Sequence, residues 1–266
     1  MLVVWLITTP ALLLPDVSRD ITEVVALLAI CAGVLTVIEY GSNYPSFVDF
    51  RHAPPFNRVR FLSLFAIVFL LTVVCRGFSA PTAISDFVAL LGGALGGLLD
   101  FPYSPVNNMI LALPDGADPA LAEAVRTLAG ISYLGSLLSI GLIALIIRFE
   151  HWPGRYGTFN VWINLPTFDP TAGGDVVERL QRAGRVNLAL GFLLPFLIPA
   201  VFQVLGDGIL TLSLAEPQKL IWVMAAWAFL PSSLFMRGIA MGRVARLIEE
   251  KRRKRYAEFG EEGVLV

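Results

Sequence analysis

The sequence predicts an all-α integral membrane protein with about six transmembrane helices. One further short glycine-rich segment, 84–99, is expected to be re-entrant or interfacial. Three observations predict this class. Of the 266 residues, 56% are hydrophobic and only 15% charged, whereas a soluble domain is about a quarter charged. That much apolar surface does not fit one water-soluble core of this size. The apolar residues also form continuous runs near the ~20 residues that a helix needs to cross a bilayer. Finally, the basic residues between those runs sort to one side.

The elements follow in order. Residues 1–14, "MLVVWLITTPALLL", read as a short span that Pro10 makes irregular. They lack the basic start and small-residue cleavage site of a secretory signal. The second span is 21–40, where Asp20 and Glu23 have the spacing of a capping box. The third is 59–77. Segment 84–99, "ISDFVALLGGALGGLL", is too short and glycine-rich for an easy crossing, and Asp86 and Asp100 bracket its apolar part. Asp118 followed by Pro119 starts a helix, N-cap then proline at the first position, and this helix feeds the fourth span, 129–147. "GGDVVERLQRAG" reads as a short amphipathic helix from Asp175, ended by Gly184. The fifth span, 187–205, contains Pro195 and Pro199; the sixth, 219–236, contains Pro231. Residues 1–248 are thus expected to form one multi-pass membrane domain. The tail, 249–266, continues the last helix, with i,i+4 pairs Glu249–Arg253 and Glu250–Lys254.

Orientation follows from the 20 Lys and Arg residues. With both termini cytoplasmic and 84–99 not crossing, sixteen face the cytoplasm, and only Arg19, Arg76, Arg126 and Lys219 face away. A full crossing by 84–99 would invert the later loops and put the basic tail outside. The expected location is therefore an inner or plasma membrane.

The glycines Gly92, Gly93, Gly96 and Gly97 have small-xxx-small spacing and lack the Lys-Ser/Thr of a phosphate loop, so they point to helix packing or to a tight re-entrant turn. Ionisable residues at membrane depth mark function, and none falls mid-span here. Glu39 is expected to pair with Arg58 or Arg60 at the headgroup level, and Arg76 with Asp86 or Asp100. Pro195 and Pro199 remove the helix partners of the Gly191 and Pro195 carbonyls, which a neighbouring helix must supply. Pro231 lies at similar depth on the adjacent antiparallel span, and Ser232 and Ser233 are placed to donate. The run Lys251, Arg252, Arg253, Lys254 and Arg255 suits anionic lipid headgroups; nucleic acid is not an expected partner.

The two loops 40–60 and 149–171 are rich in aromatics, and Trp152, Tyr156 and Trp162 are candidates for contacting a membrane-protein partner or a second copy. No catalytic motif, cofactor fingerprint or metal-ligand spacing is present. Cys31 and Cys75 read as small buried hydrophobes, and His52 and His151 stand far apart in sequence. The expected function is a non-catalytic accessory, assembly or scaffold subunit. Two alternatives compete with it. One is a small transporter or channel using 84–99 and the proline-broken helices. The other is a lipid-modifying enzyme using Asp49, Arg51, His52, Glu150, His151 and Arg155.

Overall fold

The computed structural model describes residues 1–15, 17–114, 116–150, 152–153, 159–169, 171, 173–205 and 216–262. The described residues form helices α1 (Leu2–Leu13), α2 (Arg19–Gly41), α3 (Phe56–Gly77), α4 (Ala83–Leu99), α5 (Pro105–Leu111), α6 (Pro119–Phe149), α7 (Val161–Asn164), α8 (Val176–Leu205) and α9 (Pro217–Glu262). Five of them, α2, α3, α6, α8 and α9, are long and apolar enough to cross a bilayer. The chain is a multi-pass helical membrane protein. The expected span 1–14 is the 12-residue α1, which rises about 18 Å against a hydrocarbon core of about 30 Å.

Helix starts follow local chemistry. Asp118 caps α6 by accepting from the Ala120 amide at 2.9 Å, with Pro119 in the first turn. Asp175 accepts from the Val177 amide at 3.1 Å and opens α8. The cap of α2 is Ser18, not Asp20: its hydroxyl accepts from Ile21, and Glu23 instead pairs with Arg19 at 2.9 Å. Ser18 wins because the helix starts at Arg19, two residues earlier than the apolar run suggested.

Gly184 does not end a helix. α8 runs through it unbroken to Leu205, and the missing side chain lets α8 approach the Gly238 carbonyl and Gly242 amide of α9. Gly191 repeats this one level on, against Pro231 and Phe235, and Gly238 sits against Gly184 and Leu188. The two helices therefore pack antiparallel along their length, the most extensive helix–helix interface among the described residues. Close packing through small residues is the main source of helix association in lipid, where apolar burial gives little.

The glycine-rich segment is one unbroken helix, α4, with no re-entrant turn. Gly92 and Gly96 are buried against Thr127, Ile131, Gly130 and the Arg126 carbonyl of α6. Gly93 makes looser contact and Gly97 has open space around it. At the start of α4, Ser85 meets Gly77 at the end of α3; past its end, Asp100 pairs with Arg126 in the first third of α6. Ile67 of α3 opposes Gly135 of α6, so Arg126 lies at the level where α3 ends. Both ends of α4 are thus tied to the same end of the α3/α6 pair.

Helix α2 stands at the edge. Of its residues only Ala29 and Glu39 are buried, and α1 is the one helix it packs on among those described.

Candidate functional site: the buried polar lock at the basic end

The ends of α2 and α6, the starts of α3 and α8, and the middle of α9 meet under the segments 42–55 and 159–169. Here Asp49 is 8% exposed and its Oδ2 accepts from Arg237 Nε of α9 at 2.5 Å. Arg237 also donates to Thr167 Oγ1 at 2.6 Å and Asn187 Oδ1 at 3.4 Å. Asn187 is held in turn by the Ala183 carbonyl of its own helix. From α3, Arg60 donates to Ser233 Oγ at 2.5 Å and Asn57 Oδ1 at 3.4 Å, while Asn57 donates to the Asp49 carbonyl at 2.7 Å. One carboxylate and two guanidiniums thereby join two loop segments and three helices.

Burial pushes the Asp49 carboxyl above the usual carboxylate range, against the opposing pull of Arg237 and, more weakly, Arg60. Asp49 Oδ1 and Arg60 Nε are buried and have no partner among the described residues.

Beside the lock lies an aromatic cluster. Phe50 packs on Phe56 at 4.5 Å between ring centroids and on Trp152 at 5.4 Å; Phe56 stacks on Trp152 at 6.0 Å, and Phe159 closes the group. Phe50 has φ 55°, a left-handed conformation unfavourable for a bulky side chain. Its amide donates to the Asn164 carbonyl at 2.6 Å, and the Asn164 side chain accepts from the His52 amide at 2.9 Å. The Trp152 indole donates to the Ala53 carbonyl at 3.0 Å, and Arg243 Nε donates to the Trp152 carbonyl at 3.1 Å.

This placement corrects several expectations. Trp152 is 1% exposed and so is core, not a contact surface. Trp162 is 57% exposed; Tyr156, His151 and Arg155 lie outside the described residues. Glu39 does not pair with Arg58 or Arg60. Its carboxylate accepts from the amides of Ser46 and Phe47, folding the loop back onto α2, and Arg58 is exposed. Arg51 caps that helix end, donating to the carbonyls of Glu39 at 2.7 Å and Ser42 at 2.6 Å. Free amides and carbonyls at a loop and a helix end compete for charged side chains, and here they win over ion pairing.

On the opposite end, Arg76 is exposed and has no ion pair among the described residues. The partner of Asp100 is Arg126 at 2.9 Å, and Asn107 donates to the other oxygen of Asp100 at 2.8 Å. Asp86 is exposed and accepts a long bond from Ser85. In the tail, Glu250 meets Arg243 at 3.7 Å and Arg252 meets Asp175 at 2.7 Å, rather than Glu249 and Glu250 pairing one turn on.

Pro195, Pro199 and Pro231 are all buried. The Pro195 carbonyl, freed by Pro199, accepts from the Trp227 indole at 3.0 Å. Ser232 does not serve it; that hydroxyl donates to Phe229 of its own helix. Trp227 is buried and stacks on Tyr133 of α6.

Sequence reasoning missed Arg237, Asn187 and Thr167 as one group. The available signal was polar residues bounding apolar runs, which reads as a span end and not as a shared buried network. Among the described residues there is no metal-binding cluster. The carboxylate and guanidiniums of the lock face one another. Asp49 and Arg51 of the hypothetical lipid-processing set are both engaged in holding the fold. The arrangement fastens elements, with Asp49 Oδ1 left without a partner among the described residues. No family model, curated protein or solved structure matches this chain.

Proposed function

We propose that this chain is a non-catalytic subunit of a membrane assembly, an accessory or scaffold protein, held in an inner or plasma membrane with both termini cytoplasmic. The observation that carries the reading is the buried lock at the basic end. The ionisable groups best placed for chemistry there are engaged in structure: Arg237 binds Asp49 and Thr167, and Arg60 binds Ser233 of α9. The features that favoured transport are also taken up by packing: Gly92 and Gly96 seat α4 on α6, and Trp227 covers the Pro195 carbonyl. A fastened cap on a helix bundle suits a platform more than a gated path.

The test is purification of the tagged chain from its native membrane in mild detergent. The expected result is a partner in fixed stoichiometry that survives a second purification step. A lone monomer in every mild detergent, or solute flux by the reconstituted chain alone, overturns the reading.

A further inference from the structure

We propose that the projecting half of α9 carries a docking groove for an acidic amphipathic segment of a partner protein. This deepens the subunit reading and rests on it.

The groove is a cavity of about 520 Å³ with an apolar floor, Val244, Leu247, Ile248 and Phe159; its rim carries Lys251, Arg252, Lys254 and Arg255 against one acid, Glu258, and is cationic on balance. Among the described residues none of Lys251, Lys254 and Arg255 has an ion-pair partner. Arg252 does: it binds Asp175 at 2.7 Å. That pair, and the bond from Arg243 to the Trp152 carbonyl, hold α9 alongside the first turn of α8. An apolar floor under unpaired cations selects a ligand with apolar residues on one face and carboxylates beside them.

Position separates the sources of negative charge. Arg237 bonds to Asp49, two residues from the Arg51 that caps the end of the crossing helix α2, so Arg237 marks the bilayer boundary. Lys251 and Arg255 lie 14 and 18 residues further along an unbroken helix, or about 21 and 27 Å along its axis. Headgroup attraction fades within a Debye length of about 8 Å. A second copy fits poorly too. In the same membrane its tail would run parallel to this one and set Lys251–Arg255 against the identical run, which repels.

The test is Leu247→p-benzoylphenylalanine in the full chain, photo-crosslinked in native membranes, with the adduct mapped by mass spectrometry. The expected adduct maps to an acidic amphipathic segment of one protein. In Lys251→Glu/Lys254→Glu/Arg255→Glu its yield falls about tenfold, as three exposed charge contacts imply. It returns when acidic residues of the mapped segment are changed to Lys. An unchanged thermal midpoint shows that the charge-reversed chain is folded. A lipid adduct, an adduct within the chain itself, no adduct, or a yield indifferent to the reversal overturns the groove. If a stoichiometric partner still co-purifies with the charge-reversed chain, the groove fails while the subunit reading stands. If the unaltered chain has no partner, the subunit reading fails first.

Discussion

The indole N–H of Trp227 on α9 donates at 3.0 Å to the carbonyl of Pro195 on α8, the group that Pro199 deprives of its helical partner. A proline break in one helix is thus closed by a side chain of the next. Trp227→Phe keeps the ring against Tyr133 and removes only the donor. It should lower stability by about 1 kcal/mol. Trp227→Ala also empties buried volume and should cost about 3–5 kcal/mol. Unfolding in detergent checks both; equal stability of Trp227→Phe and the unaltered chain would show that the donor contributes nothing.

Neighbouring glycines of α4 should behave differently. A methyl at Gly96 would overlap the Arg126 carbonyl, a backbone atom that cannot rotate away, whereas one at Gly97 meets nothing within 4 Å. Gly96→Ala should cost about 1–3 kcal/mol by forcing α4 off α6. Gly97→Ala should be neutral or gain up to about 1 kcal/mol from helix propensity. A cysteine crosslink between the two helices, scored in both variants, tests the displacement.

Asp49 gives a pH signature. Its folded-state pKa is raised by burial from the usual 3.8, so the folded chain holds the proton more tightly than the unfolded one. Stability should therefore fall as pH rises from the ordinary carboxylate range through the raised value, and stay flat beyond it. Asp49→Asn should flatten that slope. Arg237→Gln, which strands the carboxylate, should steepen it and lower stability by up to about 3–5 kcal/mol. Thermal midpoints across the acid range read both.

Asp175 should show the opposite sign. The bonds from Arg252 and the Val177 amide hold its carboxyl below the usual range. The contact between α8 and the tail is complete above the ordinary carboxylate pKa and is lost as pH falls through the lowered value. Asp175→Asn should remove this dependence. Spin-label distances between 173 and 253, exposed positions flanking the pair, would report it.

The two tryptophans of the second loop should separate cleanly. Trp152→Ala removes a core side chain and should cost about 3–5 kcal/mol, with loss of folded protein in detergent. Trp162→Ala, at an exposed position, should stay within about 0.5 kcal/mol. Similar losses for both would place Trp162 in the core.

Much of this fold was legible along the chain. Five apolar runs became crossing helices, Asp118 and Pro119 opened α6, and the helix pair containing Pro195 and Pro231 packs where the depth arithmetic put it. The errors concerned which group meets which. Glu39 is expected beside Arg58 or Arg60 and takes backbone amides. Arg76 is expected beside Asp86 or Asp100, and Asp100 takes Arg126. Gly184 looked like a stop and is a point of close approach. A glycine in a helix in water reads as a break; against a neighbouring helix it reads as a contact.

The sequence by itself determined the solvent and the crossing segments, because transfer into lipid sums residue by residue along a local window. Only the tertiary structure decided that Asp49, Arg60, Asn187 and Arg237 form one lock, and that Trp227 completes a broken helix. Those pairings join residues up to 188 positions apart. Each turns on bond geometry and on competition with nearby backbone groups, which composition and spacing do not encode.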